Sequence, residues 1–125
     1  METKKEFSKK EKEISGVLCD AINKRKLIRF YYQSVTSGKK GWRTVEPYII
    51  GVKENGNVFL AALPITELSK KIEDRSLGHY LINRFDISTI EVLEPTYQEP
   101  RVERFKIDDT HTIEVLCRYY YKDEQ

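Results

Sequence analysis

The hydrophobic period of this chain changes once, near Leu27, and few folds accommodate that change. Before it, Ile14, Val17, Leu18, Ala21 and Ile22 recur at i, i+3, i+4, i+7 and i+8, the single apolar stripe of an amphipathic helix. Ser8 and Glu11 have the spacing of a capping box at its start. Lys24-Arg25-Lys26 falls where the last turn would meet the negative end of the helix dipole. The pattern predicts a helix over about residues 8–25, with Gly16 as an internal cost. After Leu27 the period becomes two: Ile28, Phe30 and Tyr32 point one way, Arg29 and Tyr31 the other.

Strand signals then follow in short order. Residues 34–41 read as a polar, glycine-bearing loop and residues 42–52 as a strand, with Pro47 demanding an edge position or a bulge. Asn55-Gly56 predicts a type I′ hairpin, which needs positive φ at both central residues, and residues 58–63 return from it. Residues 65–78 fit a short amphipathic helix on Ile65, Leu68, Ile72 and Leu77, or an irregular loop. Residues 80–85 and 87–93 are strand-like, with breaks expected at Pro95 and Pro100. A last β-prone segment, residues 112–121, ends in Tyr119-Tyr120-Tyr121. One helix followed by about five strands makes the chain mainly β, a small open or closed barrel with a C-terminal strand extension.

A chain of 125 residues, 39% hydrophobic, has room for one modest core. Its net charge of +2, from 22 basic and 20 acidic residues, does not by itself announce a nucleic-acid partner. The basic residues lean toward the N-terminus, where they read most simply as a solvated helix face. No apolar run approaches the ~18 residues that span a bilayer, and the charged stretch from Glu2 to Glu13 has no signal-peptide core. No membrane partner is expected, and the location is read as cytoplasmic. Cys19 and Cys117 belong to no metal or redox motif and are read as two reduced thiols, a disulfide between them being the lesser alternative. His79 and His111 have no metal-ligand spacing. With no nucleophile elbow, phosphate loop or paired catalytic carboxylates, the expectation is a protein that is not an enzyme and needs no cofactor or metal.

Four blocks taken in order bring a family into view. Residues 21–32 pass from a helix through a basic turn into Arg29-Phe30-Tyr31-Tyr32. Arg43-Thr44-Val45-Glu46-Pro47-Tyr48, Gly56-Asn57-Val58-Phe59-Leu60-Ala61-Ala62 and Tyr80-Leu81-Ile82-Asn83-Arg84-Phe85 follow, and then Ile90-Glu91-Val92-Leu93. Together they resemble a WYL domain, whose blocks read Arg-Phe-x-Tyr, Arg-x-Val-x-Pro-Tyr, Gly-x-Trp-Tyr-Leu-x-Ala and Tyr/Phe-Arg-Leu-Asp-Arg-Ile. The naming tripeptide stands here as Val58-Phe59-Leu60, with only the leucine kept. The resemblance covers residues 14–94, leaving residues 1–13 as a charged leader with the helix cap and residues 95–125 as a C-terminal extension. It implies a five-stranded Sm-like, SH3-type barrel that binds a ligand without transforming it. Such domains serve bacterial transcription regulation and phage defence, sensing nucleotide-like or nucleic-acid ligands on a basic and aromatic face.

By matching position that face includes Tyr32, Arg43, Tyr48 and Arg84, with His79 placed to line it. The chemistry is coherent: arginine offers phosphate a planar fork that cannot be deprotonated, and a ring gives a base a partner worth ~1–3 kcal/mol. Each residue also has a plain structural alternative. Tyr32 shares the Ile28 and Phe30 face and suits a core edge, Arg43 suits a pair with Glu46, Tyr48 suits packing at a bend, and Arg84 suits a pair with Asp86 or Asp74. Trp42 is a stacking platform or simple packing, and His79 an exposed loop histidine.

The leading expectation is therefore a non-catalytic sensing module that binds a nucleotide, an oligonucleotide or another anionic ligand. Only about 13 residues precede Ile14, which leaves no room there for a helix-turn-helix. Such a module would act through a protein partner carrying the effector or DNA-binding function. The alternative is a homodimerising structural barrel without a ligand site, using its edge and the tyrosine-rich terminal strand. A third reading is a direct single-strand nucleic-acid binder acting by charge and stacking.

Overall fold

The computed structural model describes residues 6–34, 36–108 and 112–121. Helix α1 runs Lys9–Asn23, and the expected capping box closes its first turn. The Glu11 amide donates to Ser8 Oγ at 3.1 Å and the Ser8 amide to Glu11 Oε1 at 2.9 Å. Ile14, Leu18, Ala21 and Ile22 are its buried face. The basic triplet falls just beyond the last turn, because Arg25 adopts φ +57° and swings the chain into β1. Gly16 faces open space, with nothing within 4 Å of an added Cβ. Gly16→Ala should therefore stabilise by about 1 kcal/mol and raise Tm by roughly 3–5 °C. Thermal circular dichroism checks this, and a lowered or unchanged Tm would refute it.

Strands β1 (Lys26–Gln33) and β2 (Lys40–Val52) form an antiparallel hairpin that places Phe30 opposite Arg43 and Tyr31 opposite Trp42. β2 is long enough to serve two partners on one edge: β1 along its first half and β6 (Glu114–Arg118) along residues 49–52. Its other edge pairs with β3 (Val58–Pro64), and the register shifts between Pro47 and Ile49, the bulge that the proline demanded. The turn into β3 differs from the type I′ expectation. Only Gly56 takes positive φ (+85°), while its amide donates to the Lys53 carbonyl at 2.8 Å and the Lys53 amide to the Asn57 carbonyl at 3.0 Å. This is the three-residue turn with a glycine bulge, in which a single left-handed residue suffices.

The class is mainly β, as expected, but the sheet does not close into a barrel. Strand order is β4-β3-β2-β1-β5, with β6 off this path on β2. The ends, β4 (Gly78–Leu81) and β5 (Glu91–Thr96), do not pair with each other. The reason lies between them, where residues 80–85 and 87–93 were expected to be strands. Two 3-10 turns, Ile82–Arg84 and Ile87–Thr89, occupy that stretch. Asp86 fixes the second by accepting from the Ser88 amide (3.0 Å) and hydroxyl (2.7 Å), bonds that hold its carboxyl below the usual range. Pro95, expected to break a strand, lies inside β5, an edge strand where a missing donor costs nothing. Residues 65–78 fold as two further 3-10 turns, Ile65–Ser69 and Ile72–Asp74.

The C-terminal segment packs on this sheet. It contributes Tyr97, Val102, Ile107 and Tyr119 to the core, and short helix α2 (Arg104–Asp108) lies within it. Tyr97 Oη donates to the Pro47 carbonyl at 2.7 Å, its amide donates to the Arg25 carbonyl at 3.0 Å, and the Tyr119 amide reaches the Tyr48 carbonyl at 2.7 Å. Cys19 on α1 and Cys117 on β6 are joined in a disulfide, contrary to the expectation of two reduced thiols. The physical reason is proximity that linear spacing cannot reveal: β6 lies beside α1, bringing the two Cα atoms to 5.9 Å across 98 residues. No helix among the described residues is long and apolar enough to cross a membrane.

Candidate functional site

The site lies where the β1–β2 hairpin tip meets edge strand β4. An open pocket of about 310 Å³ is lined there by Tyr32, Ser34, Thr36, Ser37, Lys39, Arg43, His79 and Tyr80, with Gly78 and Leu81 completing it. Its floor is an aromatic cluster. Phe30 stacks on Phe85 at 4.4 Å, and Tyr32 and Tyr80 meet edge-on at 5.2 Å. Alternation along β2 turns Arg43 to the same face as its register partner Phe30, which carries the guanidinium to the pocket. Among the described residues its one hydrogen bond is a long one to the Lys39 carbonyl, 3.4 Å, so most of its donors face the pocket without a partner there.

Tyr32 is 4% exposed and Tyr80 7%, so both offer the pocket a hydroxyl rather than an open ring. Tyr32 Oη accepts from the Leu81 amide at 2.9 Å, which leaves its proton for the pocket. Burial raises the Tyr80 phenol to about 12 despite the neighbouring Arg43 charge, so it stays protonated near neutrality and remains a donor. Gly78 makes room for that phenol: an added Cβ would lie 2.6 Å from Tyr80 Oη. His79 is held from behind, stacked on Phe59 at 5.1 Å, with Nδ1 2.9 Å from Lys53 Nζ. An ammonium can only donate, so in this contact Nδ1 is the acceptor. Among the described residues no carboxylate lines the pocket, whose polar groups are cations, hydroxyls and an imidazole. A larger hollow of about 570 Å³ beside the β2–β3 turn pairs Lys53 with Glu54 and has no net sign.

The structure thus brings Tyr32, Arg43 and His79 together and separates Tyr48 and Arg84 from them. Tyr48 is fully buried on the far side of the Pro47 bulge, donating to Glu46 Oε1 at 2.5 Å and accepting from the Arg101 amide at 3.2 Å. Burial first, then the Glu46 charge, push its phenol well above the ordinary range. Arg84 is exposed at the end of a 3-10 turn, outside the pocket, and Asp86 is occupied by Ser88 instead. Glu46, the alternative partner for Arg43, is fully buried and meets Arg101 Nε at 2.7 Å. Trp42 is 48% exposed on the opposite face, with the Arg29 guanidinium 4.1 Å above its ring. Linear reading missed Lys39, the hydroxyls of Ser34, Thr36 and Ser37, and the Arg101 partner of Glu46. Of these, only the first group carried a signal, a cation-and-hydroxyl loop directly preceding Arg43.

The architecture is a helix-capped, mainly β domain with a cationic, hydroxyl-rich pocket at one hairpin tip. Residues 13–74 match the WYL domain model, and the chain belongs to that family. Among solved structures it is similar to proteasome accessory factor B/C (PafBC) of Arthrobacter aurescens, at 22% identity and a TM-score of 0.58. That match covers 82% of this chain and 15% of PafBC. It is also similar to a CRISPR Cas-related protein, at 21% identity and a TM-score of 0.45, with 79% of this chain and 26% of that one covered. The chain thus spans only a minor part of either neighbour's length, and the likeness to PafBC is one of fold. No curated protein matches it. The family's Trp-Tyr-Leu position falls on β3, where Val58, Phe59 and Leu60 are all buried, which explains why apolar residues suffice there.

Proposed function

We propose that this chain is a non-catalytic, ligand-sensing regulatory module. It takes the phosphate of a nucleotide or oligonucleotide, or a comparable anionic group, into the Arg43 pocket and acts in the cytoplasm through a protein partner. The observation that carries the reading is the pocket wall: Arg43 and Lys39 with five hydroxyls and, among the described residues, no carboxylate. Membership of the WYL family supports a sensing role, and roles in transcription or defence regulation follow from the same resemblance. The homodimerising alternative has less to draw on. Tyr119 is buried, Tyr121 packs under Arg104 at 4.0 Å, and only Tyr120 of the three is exposed.

Losing one charge-assisted contact costs about 1.5–3 kcal/mol. Arg43→Ala should therefore weaken nucleotide or short-oligonucleotide binding at least ~10-fold, read by fluorescence anisotropy at fixed salt. Arg84→Ala and Tyr48→Phe should leave affinity unchanged, since neither residue reaches the pocket. Failure of the wild type to bind any nucleotide or oligonucleotide, or equal binding by Arg43→Ala, would remove the proposal.

A further inference from the structure

The C-terminal strand is a short strand off the main strand order, held on β2 by one short ladder, and a single covalent bond ties it to the helix. β6 pairs with β2 at Ile49, Ile50, Gly51 and Val52, its register shifts between Ile50 and Gly51, and the Ile113 and Tyr119 amides add one bond at each end, to the Val52 and Tyr48 carbonyls. Glu114 and Val115 are exposed, and Leu116, Cys117 and Arg118 are half-buried. Cys19 is likewise half-buried on α1, so neither cysteine is sealed in the core. The two are the only cysteines in the chain, and the bond between them closes a 98-residue separation. β2, β1 and β3 would keep their mutual ladders without β6, because those ladders run along other stretches of β2 or along its opposite edge.

We infer that Cys19–Cys117 is a redox latch that decides whether β6 stays on β2. A protein dithiol attacks one sulfur, forms a mixed disulfide and resolves it with its second thiol. The S–S bond of the chain is thereby reduced to two thiols, and the dithiol, supplying two electrons and two protons, is oxidised to its own disulfide. With the latch open, the short β6 loses its covalent tie to α1 and is free to leave β2. Its departure bares the amides and carbonyls of residues 49–52 as a free sheet edge, the kind of surface onto which another strand adds. The inference is independent of the pocket. It leans on the cytoplasmic reading only for the source of reductant, since disulfides in that compartment are mostly catalytic or redox-sensing.

Hydrogen exchange resolved by mass spectrometry tests it on the full chain, oxidised, reduced with dithiothreitol and reoxidised, beside Cys117→Ser. Protection of residues 114–118 should fall about tenfold or more on reduction while that of β1–β3 changes less than about twofold. Reoxidation should restore it, and Cys117→Ser should match the reduced protein and ignore reductant. Alkylation and mass measurement in a glutathione buffer of cytosolic poise should show the bond opening. Three results would overturn the latch: β6 protection unchanged by reduction, loss of protection spread equally over the whole sheet, or a bond that resists the glutathione buffer. The last two describe a permanent staple, and all three can be read whether or not any nucleotide binds.

Discussion

Phe59→Ala should lower Tm by about 10–20 °C, the largest single-residue effect expected outside the disulfide. Phe59 is fully buried on β3 in the middle of the family's tripeptide position. Removing a buried phenylalanine side chain costs about 3–5 kcal/mol through lost transfer energy and the cavity left behind. For a chain of this length each kcal/mol corresponds to roughly 3–5 °C. β3 lies between β2 and β4, so the cavity would open beneath both neighbours. It would also remove the ring on which His79 stacks at 5.1 Å and over which Lys53 Nζ sits at 4.7 Å. Phe59→Leu keeps most of the volume and should cost less than half as much. Scanning calorimetry of both variants checks this. A fall below about 5 °C for Phe59→Ala would place the ring outside the cooperative core.

Legibility in the sequence followed the range of the interaction involved. Helix α1 and the inward face of β1 were readable because their periods are local: Ile14, Leu18, Ala21 and Ile22, then Ile28, Phe30 and Tyr32, are all buried as the alternation predicts. Arg43 came into view differently, through its matching position in the Arg-Thr-Val-Glu-Pro-Tyr block, and the alternation of β2 then carries it to the pocket. The place of Tyr48 was not readable, because the Pro47 bulge interrupts the alternation and the residue's surroundings come from Tyr97 and Arg101, about 50 residues away. The open sheet was hidden by residues 82–90, whose Ile82, Phe85, Ile87 and Ile90 suit a strand. There the Asp86 cap and the 3-10 turns prevail over β-propensity. The disulfide had no local signal, since it depends on β6 docking beside α1.

Arg101→Ala should lower Tm by about 6–15 °C, although the residue lies outside the segment matching the family model and is 44% exposed. Its guanidinium is the cation facing Glu46, which is wholly buried inside the Arg-Thr-Val-Glu-Pro-Tyr block. Without it, the carboxylate keeps only the Tyr48 hydroxyl at 2.5 Å. Leaving one member of a buried pair uncompensated costs about 3–5 kcal/mol in a dry interior. Water admitted on the Arg101 side discounts that to about 2–3 kcal/mol here. The backbone contacts survive, since the residue's amide still reaches Tyr48 and its carbonyl still accepts from Arg75 at 2.8 Å. The loss is thus specific to the charge, and a second substitution isolates it. Glu46→Gln keeps an acceptor for Tyr48 but removes the anion, so in that background Arg101→Ala should cost less than about 1 kcal/mol. A double-mutant cycle by urea denaturation measures the difference. Equal costs in the two backgrounds would mean that Arg101 acts by packing alone. Unequal costs would assign the acidic residue of the family's central block to anchoring the C-terminal segment, and leave the arginine of the same block to the pocket.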